Sequence, residues 1–358
     1  MTLFLQLFKK IFRHTRRNNL VRVLLLALML NLAFGVAFFY AERDVQQGLT
    51  LVDAIWWAMV TMTTVGYGDI YAQTWVGRFL ISYPCMIIGI GILGYLVGAI
   101  AETMLDYGSR KRKGLLRVKM KNHLIICNFP GEQKVARVIE ELRRSRQFAQ
   151  SPIVLISARI RELPARLVEM EVRFVQGDPV REEVLQKAAV RQARGVFILA
   201  ENPADPASDT LSFAIATQVH LVEKELKKDI RMVVELVSQE NRAMMHRSGA
   251  DGIVSADGIM DALIAQEFLF PGLNKVFHEV LSNARGSQFY IVPNELGAGS
   301  FGLLQKKAID SPQRVSLVGV RHKGEIILNP KADFGVDEND DLVIMAPDPA
   351  EYQLLAGS

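Results

Sequence analysis

Thr64-Val65-Gly66-Tyr67-Gly68-Asp69 is the run whose residue types and spacing can do chemistry, and that chemistry needs no acid or base. A K⁺-selective pathway must replace the water around a dehydrated ion with oxygens, and backbone carbonyls aimed inward from successive residues can supply them. Turning consecutive carbonyls the same way demands backbone angles that glycine reaches without steric cost. Gly66 and Gly68 meet that demand, Thr64 adds a hydroxyl at the inner mouth, and Val65 and Tyr67 turn outward to brace the loop. Thr64, Val65, Gly66 and Tyr67 are the candidate ion ligands. A chance Gly-Tyr-Gly turn would account for three residues, but not for Trp56-Trp57 ahead of them or for the apolar stretches on either side.

Those stretches must position the loop. Val23 to Tyr40 is 18 residues without a charge, about 27 Å as helix and enough to span a bilayer. It ends in Phe38-Phe39-Tyr40 rather than in the small residues of a signal-peptide cleavage site. Trp75 to Leu105 carries only Arg78 and Glu102 and is longer than the hydrocarbon core is thick. Between them Leu51 to Thr63 reads as a short pore helix that Asp53 can cap. Lys9, Lys10, Arg13, Arg16, Arg17 and Arg22 precede the first span, and Arg110 to Lys113, Arg117, Lys119 and Lys121 follow the second. Arg43 is the only base between Arg22 and Arg78, so both termini are expected in the cytoplasm and the loop outside. The net charge of +4 comes largely from these flanks, which makes nucleic acid a poor partner. Residues 1–18 place Leu3, Phe4, Leu7, Phe8, Ile11 and Phe12 at helical spacing, as an interfacial helix on the lipid bilayer or one packed on a partner would. Cys85 and Cys127 give neither a disulfide framework nor a metal site.

Gly89-Ile90-Gly91-Ile92-Leu93-Gly94 matches a dinucleotide fingerprint literally. No soluble strand precedes it and no turn fits in mid-bilayer. Close helix packing and a gating hinge, with Gly89 favoured, are the two readings, and Pro84 should add a kink.

Beyond a basic linker at 107–121 the pattern becomes α/β. Short apolar runs at Leu124 to Cys127, Ile153 to Ile156, Arg173 to Val175, Val196 to Leu199, Met232 to Val237 and Gly252 to Ser255 alternate with helical stretches. That alternation implies a doubly wound, Rossmann-like parallel sheet over 122–256. A helical crossover broken at Pro271-Gly272 follows over 257–285, then a small α+β lobe over 286–358. The chain is thus multi-domain: an α-helical membrane pore over 19–106, then the α/β part.

Taken together the chain resembles two-span prokaryotic potassium channels with a cytoplasmic RCK domain, the regulator of K⁺ conductance. The resemblance rests on Trp56-Trp57, Thr64 to Asp69 and Gly89 in the pore, and on His123 to Cys127, Gly177-Asp178, Glu235 and Gly249-Ala250-Asp251 beyond it. It implies a homotetramer in the cytoplasmic membrane of a prokaryote, above a ring of RCK domains that a ligand opens or closes. The sequence leaves open whether Met120 starts a second, soluble RCK product that completes an eight-domain ring.

The resemblance implies two ligands. An adenine nucleotide, ADP or NAD, would meet Asn128, Phe129, Gly131, Ser157, Arg159, Gly177, Asp178 and Ala200. The turn after the first strand keeps only Gly131 of the usual glycines, and Ser157-Ala158-Arg159 stands where a ribose-binding acid is expected. Ca²⁺ would meet Glu235, but Val237 and Ala200 occupy places where relatives put carboxylates, with Glu201 one residue on. A hard divalent ion wants six or more oxygens, so that site is depleted. The acidic loop Asp337 to Asp341 is a turn or a divalent site. Two rivals remain: a membrane-anchored NAD(P)-dependent oxidoreductase, which lacks the fingerprint and an acid–base set, and a regulatory subunit of a separate K⁺ transporter, which would need no filter. Arginine-striped voltage-sensor helices are missing from the sequence.

Overall fold

A computed structural model describes residues 19–282 and 286–357. The expected interfacial helix at residues 1–18 lies outside the described residues. The chain divides into two units, Met1–Arg110 and Lys111–Ser358.

In the first unit, α1 (Asn19–Glu42) and the stretch Val76–Arg112 are long and apolar enough to cross a membrane. Between them lies α2 (Leu51–Met62). The second span opens as a π-helix, Val76–Ser82, and continues as α3 (Tyr83–Arg112). Pro84 has no N–H to give. The wider turn sits immediately before it, closed by Tyr83 N–H to the Arg78 carbonyl and by Ser82 Oγ to the Gly77 carbonyl at 2.7 Å. The small core of the unit gathers Phe38, Ala54, Trp57, Ala58, Met62, Ile81 and Cys85, with the Phe38 and Trp57 rings stacked 3.6 Å apart.

The second unit is α/β, as the alternation predicts. Its parallel sheet takes β1 (Leu124–Cys127), β2 (Ile153–Ser157), β3 (Arg173–Gln176), β4 (Gly195–Ile198), β5 (Arg231–Leu236) and β6 (Gly252–Ser255) in the order β3-β2-β1-β4-β5-β6. Between its strands run α4 (Glu132–Arg144), α5 (Ala165–Glu169), α6 (Glu182–Lys187), α7 (Ser208–Leu226) and α8 (Arg242–His246). Alternate residues of β1 face opposite helical layers. Ile125 and Cys127 join one apolar cluster, while Leu124 and Ile126 join the other. A strand buried on both faces has no polar side, which is why β1 reads as an unbroken apolar run.

The crossover helices, α9 (Ile259–Leu269) and α10 (Leu273–Leu281), bury none of their residues within the chain, and Phe268 is 85% exposed. The final lobe is an antiparallel sheet of β7 (Gln288–Pro293), β9 (Ser316–His322), β10 (Glu325–Leu328) and β12 (Asp341–Ala346), in the order β10-β9-β12-β7, with a two-stranded pair of β8 (Gly299–Ser300) and β11 (Gly335–Val336). Phe301 and Leu304 of a helix at Phe301–Asp310 fill its core, with Tyr352 and Leu355 of another at Ala350–Ala356.

Candidate functional site: an ion filter and a strand-end crevice

The pore helix α2 starts at a capping box. Asp53 N–H donates to Thr50 Oγ1 (3.2 Å) and Thr50 N–H to Asp53 Oδ2 (3.0 Å), so Thr50 is the cap and Asp53 its partner three residues on. The far end of the helix organises the filter run. Thr64 N–H donates to the Thr61 carbonyl (3.1 Å), and Val65 and Gly66 N–H to the Val60 carbonyl (3.0 and 3.3 Å). The amides are therefore tied back to the helix. Among the described residues, no hydrogen bond reaches the carbonyls of Thr64, Val65, Gly66 or Tyr67. Positive φ falls on every second residue, Thr64 (62°), Gly66 (58°) and Gly68 (75°). This alternation of handedness turns successive carbonyls to the same side. Thr64 adopts the left-handed region although it is β-branched, a costly conformation that its neighbours must hold. Bracing comes from Trp56, which donates to Asp69 Oδ2 (3.0 Å) and stacks on Tyr67 with ring centroids 6.0 Å apart.

The sequence reading missed a strap behind this loop. Glu42, at the end of α1, is fully buried. Its carboxylate accepts from Gln73 N–H (3.0 Å), Thr74 N–H (3.0 Å), Thr74 Oγ1 (2.8 Å) and Gln46 Nε2 (3.0 Å). In the sequence it is one more charge at a span's end. Gly89 lies against Met62, the last residue of α2, close enough that no Cβ fits between them. The helix runs through Gly89 unbroken.

In the second unit the expected nucleotide residues gather at the carboxyl ends of the strands. Asn128 (φ 74°) leaves β1 and donates from Nδ2 to the Leu199 carbonyl (2.8 Å), which ties the turn to β4. Gly131 precedes α4 with φ 152°. Ser157 at the end of β2 accepts Arg159 N–H on its Oγ (3.0 Å) and Gly177 N–H on its carbonyl (3.1 Å). Asp178 accepts Val180 N–H (3.0 Å), the signature of an Asx turn.

Phe129, Arg159, Ala200 and Glu235 also meet here, together with two residues that the sequence reading did not assign, Lys134 and Asp209. Phe129 N–H donates to Glu201 Oε2 (3.3 Å). Arg159 Nη1 donates to the Glu201 carbonyl (3.1 Å) and lies 3.7 Å from its Oε1. Glu235 pairs with Lys134 and accepts Ala200 N–H (3.1 Å), so both of its oxygens have partners. Buried Asp209 accepts Val237 N–H (2.8 Å), Ser238 N–H (3.1 Å) and Asn241 Nδ2 (2.8 Å), closing off the end of β5. Lys134 carried no sequence signal beyond its place in the first turns of α4. Asp209 resembled a first-turn acid.

The acidic loop Asp337 to Asp341 lies elsewhere. His322, Asp337 and Asp340 bring ligand atoms within 4.8 Å of one another. His322 Nδ1 sits 2.9 Å from both Asp340 oxygens, and Asp340 also accepts Asp337 N–H (2.8 Å). The hydrogen bonds account for this cluster as a tethered turn.

Two helices apolar enough to cross a membrane around a filter-like loop, followed by a doubly wound parallel sheet, resemble a two-span ion channel joined to an RCK domain. Comparison with known proteins agrees. The ion channel family matches residues 26–106, and the calcium-activated potassium channel slowpoke-like RCK domain matches residues 119–234. The calcium-gated potassium channel TvoK of Thermoplasma volcanium is 28% identical over 96% of both chains. Potassium channel protein 1 of Methanocaldococcus jannaschii is 25% identical over 82% of this chain and 85% of that one. The solved GsuK channel bound to NAD aligns with 95% of this chain and 60% of that one, at 16% identity and a TM-score of 0.43, an overlap too loose to transfer a ligand. Residues 26–106 are thus similar to the ion channel family and residues 119–234 to an RCK domain, and the relatives that align along the chain are potassium channels.

Proposed function

We propose that this protein is a ligand-gated, K⁺-selective channel, homotetrameric, in the cytoplasmic membrane of a prokaryote with both termini inside. The observation that carries this reading is the row of carbonyls from Thr64 to Tyr67 that accept no hydrogen bond among the described residues, while the Thr64, Val65 and Gly66 amides are held by α2. These residues are exposed in the single chain; once other chains enclose them away from water the carbonyls need a partner, and a file of K⁺ ions supplies one. A single chain offers one wall of such a file, so four are needed to surround an ion. The exposed apolar surface of α9 and α10, with Ile264, Phe268 and Phe277, supports assembly through the second unit as well. In this reading residues 19–106 conduct, 107–121 link, 122–256 bind ligand, and 257–285 and 286–358 complete the ring, with or without extra soluble copies. Gly89 is the hinge candidate, and the reading gives the chain no chemical step to catalyse.

An adenine nucleotide, ADP or NAD, is the proposed ligand of the strand-end crevice, meeting Asn128, Phe129, Gly131, Ser157, Arg159, Gly177, Asp178 and Ala200. Such a crevice, beyond the carboxyl ends of the strands, is where open α/β sheets take ligands. A second reading, Ca²⁺ at Glu235 with Glu201, is favoured by the calcium-gated relative TvoK. Both partners of Glu235 would have to yield first. Flux of K⁺ from liposomes holding only the purified chain, with ADP, NAD or Ca²⁺ added in turn, tests the proposal. A response to nucleotide supports the first reading, and a response to Ca²⁺ alone replaces it with the second. No flux under any condition defeats the channel reading.

A further inference from the structure

This inference rests on the nucleotide reading of the crevice. Four groups there suit a phosphate: the Phe129 and Ala200 amides, the Lys134 ammonium and the Arg159 guanidinium. Three of them are hydrogen-bonded to carboxylates of the chain itself, and Arg159 donates to the Glu201 backbone carbonyl. The Glu201 carboxylate takes the Phe129 amide and lies 3.7 Å from the Arg159 guanidinium, and Glu235 takes Lys134 and the Ala200 amide. The cradle is neutralised from within.

The two carboxylates are held unequally. Both oxygens of Glu235 are hydrogen-bonded. Glu201 Oε2 has one long hydrogen bond of 3.3 Å. Its Oε1 is buried and has no hydrogen-bond partner among the described residues, with Arg159 at 3.7 Å too far to donate. A carboxylate oxygen buried without a donor keeps its desolvation penalty unrepaid. Glu235 is thus a fixed part of the wall, and Glu201 is a loosely held occupant. Arg159 is 58% exposed, so it can turn toward an incoming anion without being unburied first.

We propose that Glu201 is a built-in competitor for the phosphate position. A nucleotide enters by exchange: its phosphate takes over the Phe129 amide and the Arg159 guanidinium as the Glu201 carboxylate swings out to solvent. No bond is made or broken. Glu201 then sets the threshold for the ligand, and the missing glycines of the turn are not the only reason for weak binding. A purely structural role for Glu201, closing the crevice and holding the turn, predicts the reverse: removing it would loosen the turn and weaken binding.

The test is calorimetric titration of ADP into the purified full-length assembly in detergent. It compares wild type with Glu201→Gln, which keeps the shape and an acceptor for Phe129, and Glu201→Ala, which empties the position. Each variant must elute as the wild-type assembly does, and having two variants guards against one failing to fold. The proposal expects ADP to bind both variants at least about tenfold more tightly, the order of one charge-assisted hydrogen bond. Adding Arg159→Ala to Glu201→Gln should reverse the gain. Binding seen only in the variants also supports it, with the wild-type cradle simply shut. Equal or weaker binding by both variants, with measurable wild-type binding, overturns the competitor and leaves the nucleotide reading intact. No binding to any form at millimolar ADP overturns the nucleotide reading and the competitor with it.

Discussion

A single methyl group at Gly89 separates a hinge from a packing contact. A Cβ placed there would lie 2.6 Å from the Met62 Cα, 2.7 Å from its carbonyl oxygen and 3.0 Å from its carbonyl carbon. Ordinary contact begins near 3.4 Å, and the atoms it meets are backbone, which cannot rotate aside. Met62 ends α2 and leads directly into Thr63 and Thr64, so relief must come by moving the entrance to the filter. Such overpacking costs about 1–3 kcal/mol. Alanine returns about 1 kcal/mol of helix propensity, leaving Gly89→Ala destabilised by up to about 2 kcal/mol. Gly91 has nothing within 4 Å in the chain, so Gly91→Ala should keep the whole propensity gain. The assay is thermal dissociation of the purified assembly, paired with K⁺ and Na⁺ flux from liposomes. Gly89→Ala should dissociate at a lower temperature than Gly91→Ala and lose part of its preference for K⁺. A pure hinge predicts unchanged stability with altered opening. If Gly89→Ala proves as stable and selective as Gly91→Ala, the packing argument is wrong.

Removing the strap, Glu42→Ala, strands the Gln73 and Thr74 donors at about 1–3 kcal/mol for each one left buried. The assembly should dissociate earlier and conduct less selectively, with Glu42→Gln milder; unchanged melting would show that the strap is idle. In the last lobe, burial pushes the Asp340 carboxyl up, but hydrogen bonds from His322 and the Asp337 amide, with the charges of His322 and Lys323, outweigh it and hold it below the ordinary range. A depressed carboxyl stabilises the fold above its unfolded value, about 3.9, and that stability is lost as pH falls through the folded value. Melting temperature should therefore fall more steeply below about pH 4 in wild type than in Asp340→Asn, and parallel curves would count against the pairing.

The candidate filter loop stands out in the sequence because its demand falls on residue types: alternate glycines, a flanking aromatic pair and apolar stretches all show in one dimension. The parallel strands were legible for a similar reason, since β1 is buried on both faces and has to be continuously apolar. Helices were read less well where their apolar face is short. The stretch between β2 and β3 forms helix only at Ala165–Glu169, because Pro164 sets its start. The helices at Phe301–Asp310 and Ala350–Ala356 were not foreseen, although Phe301 and Tyr352 are core residues. The π-turn ahead of Pro84 has no sequence mark beyond the proline itself. At the crevice the backbone turns were visible and the charge pairing was not. Lys134 meets Glu235 across 101 positions, and Arg159 meets Glu201 across 42. Partners that distant become apparent only once the sheet order is known.

The central claim is that the carbonyls of Thr64 to Tyr67 conduct K⁺, and Gly66 is the place to test it. Nothing lies within 4 Å of a Cβ there, so a side chain would not clash; it would oppose the backbone, which holds φ at 58°. A β-branched residue rarely adopts that angle. The measurement is K⁺ against Na⁺ flux from liposomes containing the purified chain or Gly66→Val, with assembly checked by sedimentation. The account predicts K⁺ flux well above Na⁺ flux for the wild type, and none for an equally assembled Gly66→Val. Wild-type levels of K⁺ flux through Gly66→Val would contradict it.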